Sequence, residues 1–369
     1  MFDRLIKSRT VAGSGGEFRP WLGDLSGAFA DLGTFLPLVI GVLVLGHFEP
    51  TGLLIGFGLF AIVAGFIYRR PVPVQPMKLV AALAIAGGLS AEAMMASGLL
   101  FGIALLILGG SGLIAKMHRL VPRTVLGGLQ IALGAHLLMA SAELANGDFS
   151  LGLMALASIA LISMTPLRNM ACIVLLLVGI AWVLFSGGAS FPTVELGLHV
   201  PTFSLPTWPA FGEAAITVFW PQLSLTVTNA VLMTAVLAQD YFPRSKPRIS
   251  ANSLALSSGA LNLVLAPLGA MPMCHGAGGL VAQYHQGART GRAPILFGCV
   301  CLILGLMMGP LALDFLLLVP LPVVAAMLAF AGLHLIVPKP LIHANWTCRG
   351  IIAITALIAI VIDMVAGLA

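Results

Sequence analysis

The sequence has 369 residues, 59% of them hydrophobic and 8% charged, with a mean hydropathy of +1.07. That composition excludes a soluble domain; many near-continuous apolar runs mean a chain that crosses a bilayer repeatedly. The formal charge of +5 does not point to nucleic acid, because the basic residues lie between apolar runs, with no basic cluster and no aromatic interleaving.

Residues 1–19 are polar and basic without the apolar stretch of a signal peptide, and are expected to form a cytoplasmic N-terminal segment. Apolar segments follow at 21–45, 51–68, 76–89, 93–114, 121–141, 150–165 and 169–186. A polar, proline-rich extracytoplasmic linker covers 188–212, and further segments fall at 213–239, 249–268, 272–283, 294–318, 320–337 and 350–368. Arg4, Lys7, Arg9 and Arg19 precede the first segment. Placing them in the cytoplasm puts every other Lys and Arg except Lys78 on the same side, while the outer loops hold Glu49, Glu143, Asp148 and Glu195. The expected location is a multi-pass position in a bacterial inner (plasma) membrane. Five cysteines (Cys172, Cys274, Cys299, Cys301 and Cys348) show neither metal-ligand nor disulfide spacing. No cofactor or metal is expected. Nor is an enzyme, since there is no metal cluster, nucleophile–base pair or phosphate-binding loop.

The third segment is unlike the rest. Pro71, Pro73 and Pro76 crowd its start. Proline removes a backbone donor and drives the preceding residue to extended geometry, so 71–75 should be extended, with a helix opening at Pro76. The apolar run then stops at Gly87-Gly88, too short to cross at about 1.5 Å per residue. A half-helix of this kind is tolerated only inside protein or against a wet cavity, and its N-terminus suits an anion. Lys78 stands in its first turn.

The second half repeats the first. Gly23–Ser26 matches Pro221–Ser224 and Asp31 matches Asn229 at an offset of 198; Gln75-Pro76-Met77 matches Met271-Pro272-Met273 at 196. Val121-Pro122 matches Val319-Pro320 at 198, carrying Gly134 and His136 onto Gly332 and His334. Seven segments separate the two starts. An odd number inverts the second copy in the membrane, so the two half-helices enter from opposite sides and aim their N-termini at each other. The expected architecture is an all-α polytopic inverted-repeat transporter fold of the seven-plus-seven type, with repeats at 20–187 and 213–369. The partner of 169–186 would begin near 367, which leaves the second repeat one helix short, about seven plus six segments.

The candidate substrate-binding residues are those at the two half-helix entrances. Gln75, Pro76, Met77 and Lys78 open the first; Met273, Cys274, His275 and Gly276 open the second; Thr226 and Asn229 add side-chain hydrogen bonding. Two readings of Lys78 stand together: a cation for an anionic substrate, or a structural partner of Asp24 or Asp31. Those two aspartates lie seven residues apart and share a helix face. They are the candidates for proton or ion coupling, with Asp24 reading equally as a helix N-cap. Gln222 and Asn229, their repeat equivalents, keep hydrogen bonding without charge, which suits one ion path. His275 reads either as an oxyanion donor and proton carrier or as a packed polar residue. His136 and His334 read as structural, and Asp363 has no assigned partner.

Pro71–Lys78 and Met273–Gly291 (MCHGAGGLVAQYHQGARTG) resemble the two motifs of the molybdate transporter family, relatives of the sulfate permease superfamily. Gly23–Pro37 and Trp220–Ala230 are similar to that family as well. The resemblance covers essentially the whole chain, and is to members without a C-terminal STAS domain. It implies the inverted-repeat fold of nucleobase and sulfate carriers, divided into core and gate. It also implies secondary active import of a tetrahedral oxyanion, molybdate first, with tungstate or sulfate as relatives. Sulfate or small-anion transport, or an anion channel of the same fold, is the alternative. A coupling proton and a homodimer are compatible with it.

Overall fold

The computed structural model describes residues 20–45, 48–114, 123–145, 148–165, 171–186, 197–316, 318–336 and 345–361. The expectations for residues 1–19, for 187–196 of the linker, for Lys116, Arg119, Arg168, Lys339 and Asp363, and for the side chains of His136 and His334 lie outside them. Among the described residues six helices are long and apolar enough to cross a membrane.

Helices α1 (Pro20–Ala28) and α2 (Leu32–Leu45) form the first crossing. The sequence predicts it continuous, but the helix is interrupted at 29–31, where Leu32 N bonds back to Phe29 O at 3.2 Å. Asp31 sits in that interruption. Helix α3 (Pro50–Tyr68) is started by Glu49, whose carboxylate accepts from Thr51 N and Gly52 N, with Pro50 in the first turn. An extended stretch follows, with strand β1 (Val74–Pro76), and then the half-helix α4 (Lys78–Ile85), ended by Gly87 at φ +70°. The half-helix opens two residues later than the prolines suggest. Met77 N is held by Pro272 O at 3.0 Å, which keeps Met77 extended and makes it the N-cap. Helices α5 (Ala91–Ser111), α6 (Arg123–Leu144), α7 (Phe149–Ser163) and α8 (Ala171–Phe185) complete the first half.

The second half begins with α9 (Trp208–Tyr241), which starts five residues before its predicted boundary of 213. Pro209 lies in its first turn, where a missing N–H costs nothing, so the end of the proline-rich stretch belongs to the helix. Two wide π-turns, Ala215–Phe219 and Thr226–Met233, interrupt α9. Helix α10 (Ala251–Leu268), strand β2 (Met273–His275), half-helix α11 (Ala277–His285), α12 (Arg292–Leu316), α13 (Leu321–Ile336) and α14 (Trp346–Val361) follow.

Each half therefore runs in the same order, with a strand and a half-helix in third place. Helices α3 and α12 pack together, as do α5 and α10, and α1 lies against α12; the other body is α6 packed on α13 and α14, with α7 on α13. Apolar side chains gain little by leaving lipid for one another, so close backbone approach decides such contacts. At the α6–α13 crossing a Cβ on Gly134 would stand 2.6 Å from Gly332 O, and one on Gly332 would stand 2.8 Å from Gly134 O. This reciprocal fit joins two positions that the offset of 198 relates. At one end of the molecule Arg70 donates to Arg289 O at 3.1 Å and lies over the Phe242 ring. At the other, Glu213 accepts from Ser90 N and Glu92 from Thr207 Oγ1. In these contacts the arginines gather at one end and the glutamates at the other.

Candidate functional site

The two half-helices meet through their strands. β1 and β2 pair antiparallel, Val74 with His275, Gln75 with Cys274 and Pro76 with Met273. Prolines keep this ladder short, and side chains take up the remaining backbone groups. Asn262 donates to Met273 O at 2.6 Å and accepts from Met273 N at 2.8 Å. Polar backbone at membrane depth is in this way satisfied within the protein.

Beside the strands lies a cavity of about 50 Å³. Gln75, Pro76 and Lys78 line it from β1 and α4, Gln222, Thr226 and Asn229 from α9, and Cys274 and His275 from β2. Lys78 is part-exposed into this space and makes no hydrogen bond or ion pair among the described residues. Of its two readings, the structural salt bridge to Asp24 or Asp31 is not formed among the described residues. An unpartnered ammonium at membrane depth is costly unless it meets water or an anion.

Gln222, absent from the expected binding set, organises the cavity's far wall. Its Oε1 accepts from Leu79 N in the first turn of α4 at 2.9 Å, and its Nε2 donates to Thr226 Oγ1 at 2.8 Å. The i, i+4 spacing of Gln222 and Thr226 was the signal for it. Asn229 follows on the π-turn Thr226–Met233, exposed to the cavity. A π-turn at such a place is common at functional sites, because it turns side chains out of helical register. Thr228 instead bonds back to Ser224 O at 2.8 Å.

The two half-helix ends are not equivalent. Asp31 accepts from Gln75 Nε2, and a Cβ on Gly279 would lie 2.6 Å from its Oδ2. The Gln75 amide also covers Gly276, where a Cβ would overlap it. The Asp31 carboxylate and the Gln75 amide lie against Gly279 and Gly276 at the start of α11, while Lys78 at the start of α4 lines the cavity. Gly276, expected at the binding site, is not among the residues lining the cavity. Met77 and Met273 are fully buried behind the strands. His275 borders the cavity, yet both its ring nitrogens are engaged. Nδ1 donates to Pro73 O at 3.1 Å, which leaves Nε2 to accept from Ser257 Oγ at 2.9 Å. Edge-on rings of Phe60 and Tyr68 complete its enclosure. These contacts are those of a packed polar residue.

Asp24 is not brought to the site. It is buried and accepts from Arg289 N at 2.8 Å, Thr290 N at 3.0 Å and Thr290 Oγ1 at 2.6 Å, anchoring the loop that enters α12. Asp31 lines a second, smaller cavity of about 10 Å³ together with Pro73, Val74 and Gln283. The Oε1 of Gln283 is buried there without a partner. No group of His, Cys, Asp and Glu among the described residues has a metal-binding arrangement.

A family model described as "Molybdate transporter of MFS superfamily" matches residues 23–137 and 214–335, more than half of the chain. The chain is 29% identical to molybdate transporter 2 of Arabidopsis thaliana, over 86% of this chain and 78% of that protein. It is also 29% identical to molybdate transporter 1 of Chlamydomonas reinhardtii, over 85% of this chain and 82% of that protein. Among solved structures, the transmembrane domain of the cyanobacterial bicarbonate transporter BicA superposes with a TM-score of 0.71 at 17% identity, covering 96% of this chain and 99% of that one. That likeness establishes the inverted-repeat fold.

Proposed function

The chain belongs to the molybdate transporter family, and on that premise we propose that it carries a tetrahedral oxyanion, molybdate first, across the membrane by alternating access as a secondary active transporter. One observation supports this reading above the rest: Lys78, without a partner among the described residues, stands in the first turn of a half-helix that opens on a cavity. A cation, a helix N-terminus and neutral donors together suit an oxyanion and penalise a cation or an apolar solute. Asn229 and Lys78 supply donors to it, and Gln222 fixes Thr226 beside it. The anion sits on the body built from α1–α5 and α9–α12, which would move against the body of α6–α8, α13 and α14. Asp31 is the coupling group in this reading, and Asp24 an anchor. The N-terminus faces the cytoplasm of a bacterial inner membrane, supported by the sorting of basic residues to one end.

The test is uptake of radiolabelled molybdate into proteoliposomes, with tungstate, sulfate and uracil as competitors. Competition by tungstate and sulfate is expected. Competition by uracil without sulfate or tungstate would sink the oxyanion reading, and flux indifferent to any imposed gradient and far above carrier rates would mark a channel.

A further inference from the structure

A single buried amide touches both cavities. Gln75 is 4% exposed. Its side chain lines the cavity of Lys78, and its Nε2 donates to Asp31, which lines the smaller cavity. Among the described residues no other hydrogen bond between side chains joins the two linings. The contact is shaped for it: Gly276 gives room to the amide and Gly279 to the carboxylate.

A carboxamide donates at one end and accepts at the other, whereas an ionised carboxylate only accepts. While Asp31 is ionised, Gln75 must turn its NH2 to it, and Oε1 is left on the Gly276 side. A proton from water on Asp31 changes this. The carboxyl O–H donates to Oε1, the amide turns over, and the NH2 is released to an oxyanion beside Lys78. No other bond forms or breaks. From this geometry we infer that Gln75 is a positioning residue whose amide reports the protonation of Asp31 to the anion cavity, admitting the substrate when Asp31 is protonated. The inference rests on the oxyanion reading above.

The groups around Asp31 leave it as the ionisable member of its cavity. Thr34 of α2 and Lys78 of α4 act on it. Helix α11 presents Gln283, α12 presents Pro294 and Phe297, and α1 presents Ala28. The His275 ring of β2 is engaged with Pro73 and Ser257.

The experiment is calorimetric titration of the purified full chain with molybdate from acid to neutral pH. The parent should bind more tightly at acid pH. Asp31→Asn, whose amide keeps a donor for Oε1, should hold the acid-level affinity throughout. Gln75→Met keeps the volume and removes the amide. It should bind about tenfold to a hundredfold more weakly at acid pH, with little change at neutral pH, so that the pH dependence flattens. The double variant should match Gln75→Met, since the two residues act as one unit. Melting temperatures accompany each variant. Should Gln75→Met fail to fold, Gly276→Ala displaces the same amide at a backbone that accepts alanine (φ −125°, ψ 124°), and the same flattening is expected. An equal loss at every pH, or parental pH dependence in Asp31→Asn, overturns the relay while leaving the oxyanion reading intact. Absence of molybdate, tungstate and sulfate binding by the parent overturns both.

Discussion

Lys78→Gln is the substitution that weighs the lysine against the rest of the cavity. It keeps length and a donor but removes the charge. A helix terminus contributes about 0.3–1 kcal/mol to an exposed anion and up to about 2 when partly buried. A hydrogen bond to a charged group contributes about 1.5–3 kcal/mol. Here the helix share is reduced, because Leu79 N is already taken by Gln222. The lysine carries the larger part, and its loss should weaken molybdate binding by about tenfold to a hundredfold, at about 1.4 kcal/mol per decade. Stability should not fall with it. With no carboxylate paired to Lys78 among the described residues, the substitution strands no buried partner, which is what makes breaking a buried salt bridge costly. Calorimetry at fixed pH and ionic strength, with melting temperature alongside, reads both quantities. Unchanged affinity refutes the reasoning, as does a large drop in melting temperature with affinity retained. Lys78→Arg is not a rescue, since a planar fork must fit where a compact ammonium stood.

Two further outcomes follow from the anchoring contacts and from the two ends of the molecule. Asp24→Ala leaves Arg289 N, Thr290 N and the Thr290 hydroxyl without their acceptor. At about 1–3 kcal/mol for each buried group left unsatisfied, the melting temperature should fall while molybdate affinity in the folded fraction is retained; a selective loss of proton-driven uptake would instead return Asp24 to coupling. Cysteines placed at Ser245 and Ser204 in a cysteine-free background should label from opposite sides of the membrane, and labelling of both from one side would contradict the inverted topology.

The fold was legible because the membrane imposes it. Apolar length marks the crossings, and prolines at 71–76 and at 272 mark where backbone must leave helical geometry. The offset of 198 placed Gly134 on Gly332, and the two glycines do face each other at the α6–α13 crossing. The break at 29–31 was not legible, since Phe29 and Ala30 carry no breaker chemistry, and it is there that Asp31 meets Gln75. At the site, residue type identified the half-helix entrances, but not which side chains would be consumed internally. His275 was drawn to Pro73 and Ser257, and Gln222 to a first-turn amide, by partners far apart in sequence. Pattern reading does not reach pairings of that kind.

The inequality of the two half-helix ends gives the site its direction. Both ends are electropositive, and in a symmetric protein both would compete for the same anion. Here the Asp31 carboxylate lies against Gly279 at the start of α11, and in the proposed function the end of α4 beside Lys78 is left to the substrate. With Asp31 ionised, the lysine and the aspartate offset each other, and an arriving dianion finds its charge unbalanced. With Asp31 protonated, the lysine is free to compensate it. Under the proposed coupling, proton and oxyanion favour each other's binding, and linkage makes the effect reciprocal: the factor by which a proton improves molybdate affinity is the factor by which molybdate improves proton affinity. Molybdate binding should consequently take up protons from solution at neutral pH. Titrations in buffers of different ionisation enthalpy measure that uptake directly, as the slope of observed against buffer enthalpy. The slope should be positive for the parent and vanish in Asp31→Asn. A zero slope in the parent, where molybdate binds, would mean that charge is balanced by something other than Asp31, and proton coupling through this residue would be refuted.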